Sequence, residues 1–127
     1  DRDMMPNHLR KLCDKVESLT QHGQSLQCNF LFFYGGRQEI IRAAQKLQQK
    51  KVLITEQSLK SAMWSSDIPD PELIVRTGGK KRLSNFLLFQ SAYSELRFLD
   101  CLWPDITKKM LENIVQESCN VQKNFGQ

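Results

Sequence analysis

The sequence predicts an α/β fold with a mainly parallel sheet flanked by helices. Two short apolar runs, residues 26–34 and 73–75, have the composition of strands buried on both faces. Apolar residues at helical spacing lie before, between and after these runs. Strands that alternate with helices favour parallel pairing, because each crossover returns the chain to the same end of the sheet. The 127 residues are enough for one domain of this kind.

The first half of the chain predicts a helix, a strand and a second helix. Residues 6–21 place leucines and valine at helical spacing, so this helix is expected to face the core. Residues 26–34 lose polarity toward their end and are expected to form a buried strand, which Gly35-Gly36 terminates. The second helix is expected to begin at Arg37 and to end in the polar run 48–51, whose lysines suit the negative end of the helix dipole.

The second half predicts a short helix, a strand and two further helices. Thr55 can cap the short helix, because its hydroxyl can accept a hydrogen bond from an unpaired amide of the first turn. Leu73-Ile74-Val75, bounded by proline and glycine, is expected to form a second buried strand. Ser84 is expected to cap an apolar helix over residues 85–96. The last helix is expected to be capped by one of two residues, Asp105 or Thr107.

The composition is that of a mildly basic globular chain. Lysine and arginine number 18 against 14 acidic residues, which gives a formal net charge of +4. This surplus suits an anionic partner, and nucleic acid, acidic lipid and phosphorylated metabolites all remain open. No apolar run is long enough to span a bilayer. The four cysteines are too widely spaced for a zinc site, so reduced thiols in a cytoplasmic protein are expected.

The most informative stretch is Arg76–Ser84, which holds four cations, two glycines and two hydroxyls directly after a strand. In an α/β sheet, ligands bind beyond the carboxyl ends of the strands, and arginine can grip phosphate oxygens with two hydrogen bonds. Gly78 and Gly79 would allow a sharp turn or a close approach to a ligand. A phosphate or diphosphate site is one interpretation of the loop, and a solvated basic surface loop is the other.

Glu95 falls near the end of the predicted helix 85–96. A carboxylate is unfavourable there, at the negative end of the helix dipole, unless another group holds it. A metal ion or a nearby arginine could do so, and a solvent-facing glutamate is the alternative.

Residues 73–105, from Leu-Ile-Val-Arg-Thr-Gly-Gly to Leu-Trp-Pro-Asp, closely resemble the C-terminal signature of cis-prenyltransferases, the undecaprenyl diphosphate synthase family. Residues 34–40, Tyr-Gly-Gly-Arg-Gln-Glu-Ile, resemble a second family block, and Phe125-Gly126 is similar to the family's C-terminal tail. Members condense isopentenyl diphosphate onto an allylic diphosphate primer to make polyprenyl diphosphates. The resemblance implies an undecaprenyl diphosphate synthase-like fold and a cytoplasmic homodimer, with peripheral membrane contact through its product.

The resemblance also implies roles for residues of the loop and for Glu95. The residues implied to bind isopentenyl diphosphate are Arg76, Arg82, Leu83 and Ser84. Further candidates for phosphate contact are Lys81, Gly78 and Gly79. Glu95 is implied to help hold Mg²⁺, across a dimer interface. Lys80 stands where the family usually has glutamate, and Lys81 where some members have a metal-side histidine, so this loop is more positive than is typical.

The family's Asp-Gly-Asn-Gly-Arg block, which carries a metal-binding aspartate and the allylic diphosphate loop, is not among these residues. We therefore expect residues 1–127 to be the C-terminal portion of a single cis-prenyltransferase domain, without catalytic residues of its own and inactive alone. A non-catalytic partner subunit of a prenyltransferase is the first alternative. A nucleic-acid-binding module is the second, but it lacks a reader motif, so nucleic acid is not expected as a partner.

Overall fold

The computed structural model describes residues 4–120. The tail motif Phe125-Gly126 and residues 1–3 lie outside the described part of the chain. The elements in chain order are α1 (Asn7–Thr20), α2 (Gly36–Gln49), α3 (Glu56–Ala62), β1 (Leu73–Arg76), β2 (Glu95–Phe98), a 3-10 helix (Trp103–Asp105) and α4 (Lys108–Cys119).

β1 and β2 pair in parallel, which confirms the predicted class of sheet. In the register of this pair Leu73 lies opposite Glu95, and Arg76 lies opposite Phe98. The pairing continues past the strand ends, because the Glu95 amide donates to the Glu72 carbonyl at 2.9 Å and the Leu99 amide donates to the Arg76 carbonyl at 2.8 Å. Arg76 therefore stands at the carboxyl end of β1, where the polypeptide enters the basic loop.

The chain divides into two compact units, residues 1–35 and residues 36–127. In the second unit, α2 and α3 pack together. Their contact buries Ala43 and Leu47 of α2 against Ala62 and Met63 at the end of α3, and Phe89 packs against this cluster. The buried core described here thus lies beside α2 and also supports the segment that follows the basic loop.

Two expectations for the first unit are wrong. α1 forms as predicted, but it has no buried residue, and Leu19 is 74% exposed. Residues 26–34 form no strand, and Phe30 is 77% exposed, although its ring stacks on that of Phe32. An apolar run becomes a buried strand only where a neighbouring strand pairs with its backbone, and among residues 4–35 no segment does so.

The predicted helix over residues 85–96 is also wrong. Residues 84–93 form a series of turns, and β2 begins at Glu95. The backbone is left-handed at Ser84 (φ +51°), Asn85 (φ +67°) and Leu87 (φ +43°), so the right-handed helical path cannot start there. Ser84 accordingly caps no helix, and its hydroxyl is available for another role.

Two predicted caps are confirmed. Thr55 and Ser58 form a capping box, in which the Ser58 amide donates to Thr55 Oγ1 and the Thr55 amide donates to Ser58 Oγ. Thr107 caps α4 by accepting from the Met110 amide, while Asp105 belongs to the preceding 3-10 helix. Within residues 4–120, no helix has both the length and the apolar character needed to cross a membrane.

Candidate functional site

The basic loop folds back on the end of β1 through the side chain of Arg76. Arg76 Nη1 donates to Ser84 Oγ at 2.8 Å and also to the backbone carbonyl of Arg82. The structure therefore brings together Arg76, Arg82 and Ser84, three of the four residues predicted to bind isopentenyl diphosphate. Leu83, the fourth, lies between them in sequence and is half-buried.

The two glycines form the turn that lets this loop leave the strand. Both have left-handed backbones, with φ +86° at Gly78 and +68° at Gly79, a conformation that favours glycine. Their amides donate to the carbonyls of Cys101 and Leu99, each at 2.9 Å. The structure thus uses both amides to hold the loop against residues 99–101.

The cations of this loop form no ion pair within residues 4–120, although the Asp100 carboxylate lies beside Gly79. The side chains of Lys80, Lys81 and Arg82 are exposed, and no ion pair of residues 4–120 involves them. The contacts of Arg76 given above are to a hydroxyl and a carbonyl. Exposed cations at the carboxyl end of a strand can bind an anion, and arginine suits phosphate oxygens especially well.

Asn85, which the sequence analysis did not single out, joins this loop to the start of α2. Its backbone carbonyl accepts from the Gly36 amide at 2.7 Å, and its Oδ1 accepts from the Arg37 amide at 2.8 Å. Its Nδ2 donates to Gln38 Oε1 at 3.0 Å. The only sequence signal for this role is the tolerance of asparagine for a left-handed backbone, which does not identify the helix it caps.

Glu39 forms a buried polar cluster with Ser65 and Gln90, and sequence reasoning missed this cluster too. Glu39 is 1% exposed, and its Oε1 accepts from the amide and the hydroxyl of Ser65 at 3.0 and 2.7 Å. Its Oε2 accepts from Gln90 Nε2 at 2.8 Å. Because these residues come from α2, the loop after α3 and the segment after the basic loop, the cluster ties three parts of the chain together.

Glu95 lies at the other end of the strand pair from Arg76. It is the first residue of β2, opposite Leu73, and its Oε2 is 3.8 Å from Arg97 Nη1. Three strand positions separate this level from that of Arg76, a rise of about 10 Å. The structure does not bring Glu95 next to the basic loop.

A magnesium site needs several oxygen ligands, and the described residues supply little beyond Glu95. Within residues 4–120, no three histidine, cysteine, aspartate or glutamate side chains come together in a way that could hold a metal ion. A carboxylate is a suitable ligand for Mg²⁺, but one carboxylate is not a site. These residues therefore do not fit a magnesium ion by themselves.

The family model described as undecaprenyl diphosphate synthase matches residues 1–126. The chain belongs to this family. It is 40% identical, over 131 residues, to the tritrans,polycis-undecaprenyl-diphosphate synthase (geranylgeranyl-diphosphate specific) of Pyrobaculum aerophilum, an alignment that covers 99% of this chain and 55% of the relative. It is 38% identical to the isoprenyl transferase of Thermotoga maritima, with 98% of this chain and 56% of the relative covered.

Two solved structures match the fold of this chain. A probable undecaprenyl diphosphate synthase from Campylobacter jejuni matches with a TM-score of 0.89 and 37% identity, over all of this chain and 60% of the other. The lavandulyl diphosphate synthase of Lavandula x intermedia, solved in complex with dimethylallyl diphosphate, matches with a TM-score of 0.92 and 27% identity, over all of this chain and 58% of the other. The chain thus spans somewhat more than half the length of the relatives it matches.

Proposed function

We propose that this chain supplies the isopentenyl diphosphate site of a cis-prenyltransferase and forms the C-terminal portion of that enzyme's domain. The observation that carries the proposal is that the guanidinium of Arg76, at the carboxyl end of β1, meets the hydroxyl of Ser84 and the backbone carbonyl of Arg82. Family membership supports the reaction class, since the relatives are named undecaprenyl-diphosphate synthase and isoprenyl transferase.

In this proposal the residues of the loop have different roles in binding a diphosphate. Arg76 is already oriented by Ser84 and the Arg82 carbonyl, so its remaining N–H groups are directed before the ligand arrives. Arg82 and Lys81 are exposed and close over the phosphate oxygens, neutralising their charge. Leu83 contacts the hydrocarbon part of the isopentenyl group. Gly78 and Gly79 keep the loop in the required turn through their own backbone bonds.

The metal and the second substrate need groups beyond this site. We propose that Glu95 contributes one carboxylate to a Mg²⁺ site completed by protein groups outside residues 4–120 in a homodimer. The allylic diphosphate binds in the part of the fold that relatives have beyond the aligned region. With this activity we expect a cytoplasmic location and peripheral membrane contact through the polyprenyl product.

Two measurements test the proposal. Isothermal titration calorimetry with isopentenyl diphosphate is expected to show saturable binding to the chain. Arg82→Gln is expected to weaken that binding about tenfold, as for loss of a charge-assisted hydrogen-bonding group, whereas Lys50→Gln removes the same charge beyond the end of α2 and leaves binding unchanged. Equal effects of the two substitutions would contradict a local site at the loop.

The second measurement is transfer of labelled isopentenyl diphosphate to farnesyl diphosphate in the presence of magnesium. We expect residues 1–127 to bind isopentenyl diphosphate without turning it over. Robust turnover by this chain alone would refute the proposal that it is an incomplete part of the enzyme. Turnover that appears only when a full-length relative is added, and that exceeds the activity of that relative, would instead identify a partner subunit.

A further inference from the structure

We infer that Asn85 is a positioning residue, which holds Ser84 and Arg76 in their binding geometry by locking the loop onto the first turn of α2. The inference rests on the proposed function for its consequence, namely diphosphate affinity. The dependence of the Arg76 hydrogen bonds on Asn85 can be measured without any ligand.

Every polar group of the Asn85 side chain is used at the start of α2. Oδ1 accepts from the Arg37 amide, and Nδ2 donates to Gln38 Oε1. The backbone carbonyl of Asn85 accepts from the Gly36 amide in addition. Two of the helix amides that would lack an intrahelical partner are therefore satisfied by this residue of the distant loop. These hydrogen bonds therefore connect Asn85 to residues 47 or more positions earlier in the sequence.

The neighbouring Ser84 needs such an anchor because its backbone is unfavourable. A left-handed φ of +51° is uncommon for serine, whereas asparagine tolerates its own φ of +67° better. Strained conformations persist only where surrounding interactions hold them. The bonds of Asn85 hold the adjacent peptide, and in this conformation Ser84 Oγ accepts from Arg76 Nη1 at 2.8 Å.

The segment after Asn85 also packs closely against the start of α2. A Cβ atom added to Gly36 would lie 2.9 Å from Leu88 Cγ and 3.0 Å from the Leu88 amide nitrogen, so only glycine leaves room for this approach. One turn further along α2, Glu39 binds Gln90 in the buried cluster. The first turn of α2 is therefore held by several close contacts. Among the residues that make these contacts, Asn85 is the nearest in sequence to Ser84.

The test compares Asn85→Ala with Thr107→Ala, which also removes a side-chain cap from a helix N-terminus but at α4. We expect Asn85→Ala to weaken isopentenyl diphosphate binding about fivefold, because Ser84 no longer orients Arg76, and Thr107→Ala to leave binding within twofold of the parent chain. Asn85→Gly, which adopts a left-handed backbone easily but has no side-chain amide, is expected to weaken binding as Asn85→Ala does. It serves as the second variant if Asn85→Ala does not fold.

The ligand-free measurement follows the Nη–H signals of Arg76 by isotope-edited NMR. Hydrogen bonds to Ser84 Oγ and to the Arg82 carbonyl should protect these protons from solvent exchange in the parent chain and in Thr107→Ala. Both Asn85 variants should lose the protection. Protection that survives in either variant, or affinity equal to that of the parent, would overturn the inference. If the parent chain does not bind isopentenyl diphosphate, the proposed function fails, and the NMR result still decides the role of Asn85.

Discussion

Replacing Glu39 by glutamine should destabilise the chain although the side chain keeps its size. The carboxylate is 1% exposed, and within residues 4–120 it accepts hydrogen bonds from the amide and the hydroxyl of Ser65 and from Gln90 Nε2. A carboxamide has one oxygen, which can keep the pair of bonds from Ser65. The amide nitrogen then faces Gln90 Nε2, and two donors oppose each other.

The magnitude follows from the bond that is lost. A hydrogen bond to a charged group contributes about 1.5–3 kcal/mol, so the Glu39→Gln chain should lose about 2 kcal/mol of unfolding free energy. Gln90 Oε1 is buried and makes no hydrogen bond in the structure, so a rotated Gln90 amide could accept from the new amide. That rotation would remove the bond from Gln90 Nε2 to Ser65 Oγ, so a bond is still lost. Glu39→Ala removes the bonds from Ser65 and Gln90 and leaves the buried amide and hydroxyl of Ser65 without their acceptor, so it should cost at least about 3 kcal/mol.

Urea unfolding followed by circular dichroism measures these losses. The matched control is Glu112→Gln on α4, where the same change affects an exposed glutamate whose partner is Lys108, 3.5 Å away. This control should change stability by no more than about 0.5 kcal/mol, as for surface ion pairs generally. If Glu39→Gln and Glu112→Gln unfold at the same urea concentration with equal slopes, the buried cluster does not stabilise the fold, and the reasoning is refuted.

Three further substitutions test the loop and its supports. Ser84→Ala removes an acceptor of Arg76 and should weaken isopentenyl diphosphate binding about fivefold by calorimetry. Ser66→Ala, at a half-buried serine in the segment after α3, is the control, and equal affinities would count against the site. Gly36→Ala pushes a methyl group into Leu88 and should lower the unfolding free energy by about 2 kcal/mol in urea, so an unchanged midpoint would contradict the close packing. Thr55→Ala breaks the capping box of α3 and should cost about 1 kcal/mol in the same assay, and a cost near zero would show that this cap is unimportant.

The elements that sequence reasoning placed correctly are those specified by nearby residues. α2 carries its own apolar stripe, α3 and α4 begin at threonine caps, and β1 is bounded by proline and glycine. In each case the signal and the element lie within a few residues of each other. The grouping of Arg76 with Ser84 is an implication of the family resemblance, whereas local reasoning assigns Ser84 to a helix cap.

The failures have non-local causes. Residues 26–34 have the composition of a strand, but composition does not provide the partner strand that would pair with them. Residues 85–96 have helical spacing, yet the first of them bind the start of α2, about 50 positions earlier in the chain. Asn85 and Gln90 both form hydrogen bonds with residues of α2. Their bonds to α2 compensate for a left-handed backbone that local propensity would reject.

The sign of one backbone angle links these failures to the proposed site. With a negative φ, in the extended conformation of Thr55 and Thr107, Ser84 could cap a helix, and its hydroxyl would accept from a backbone amide of that helix. In the observed left-handed conformation the same hydroxyl accepts from Arg76 instead, which orders a guanidinium that would otherwise be mobile. Ordering a long side chain costs conformational entropy, and here that cost is met in folding rather than on ligand binding. Arg82, Lys80 and Lys81 remain exposed and must still be ordered when an anion binds. The loop therefore combines one preoriented cation with three that must be ordered on binding. Geometric selectivity for a diphosphate should come mainly from Arg76, and neutralisation of its charge from the others.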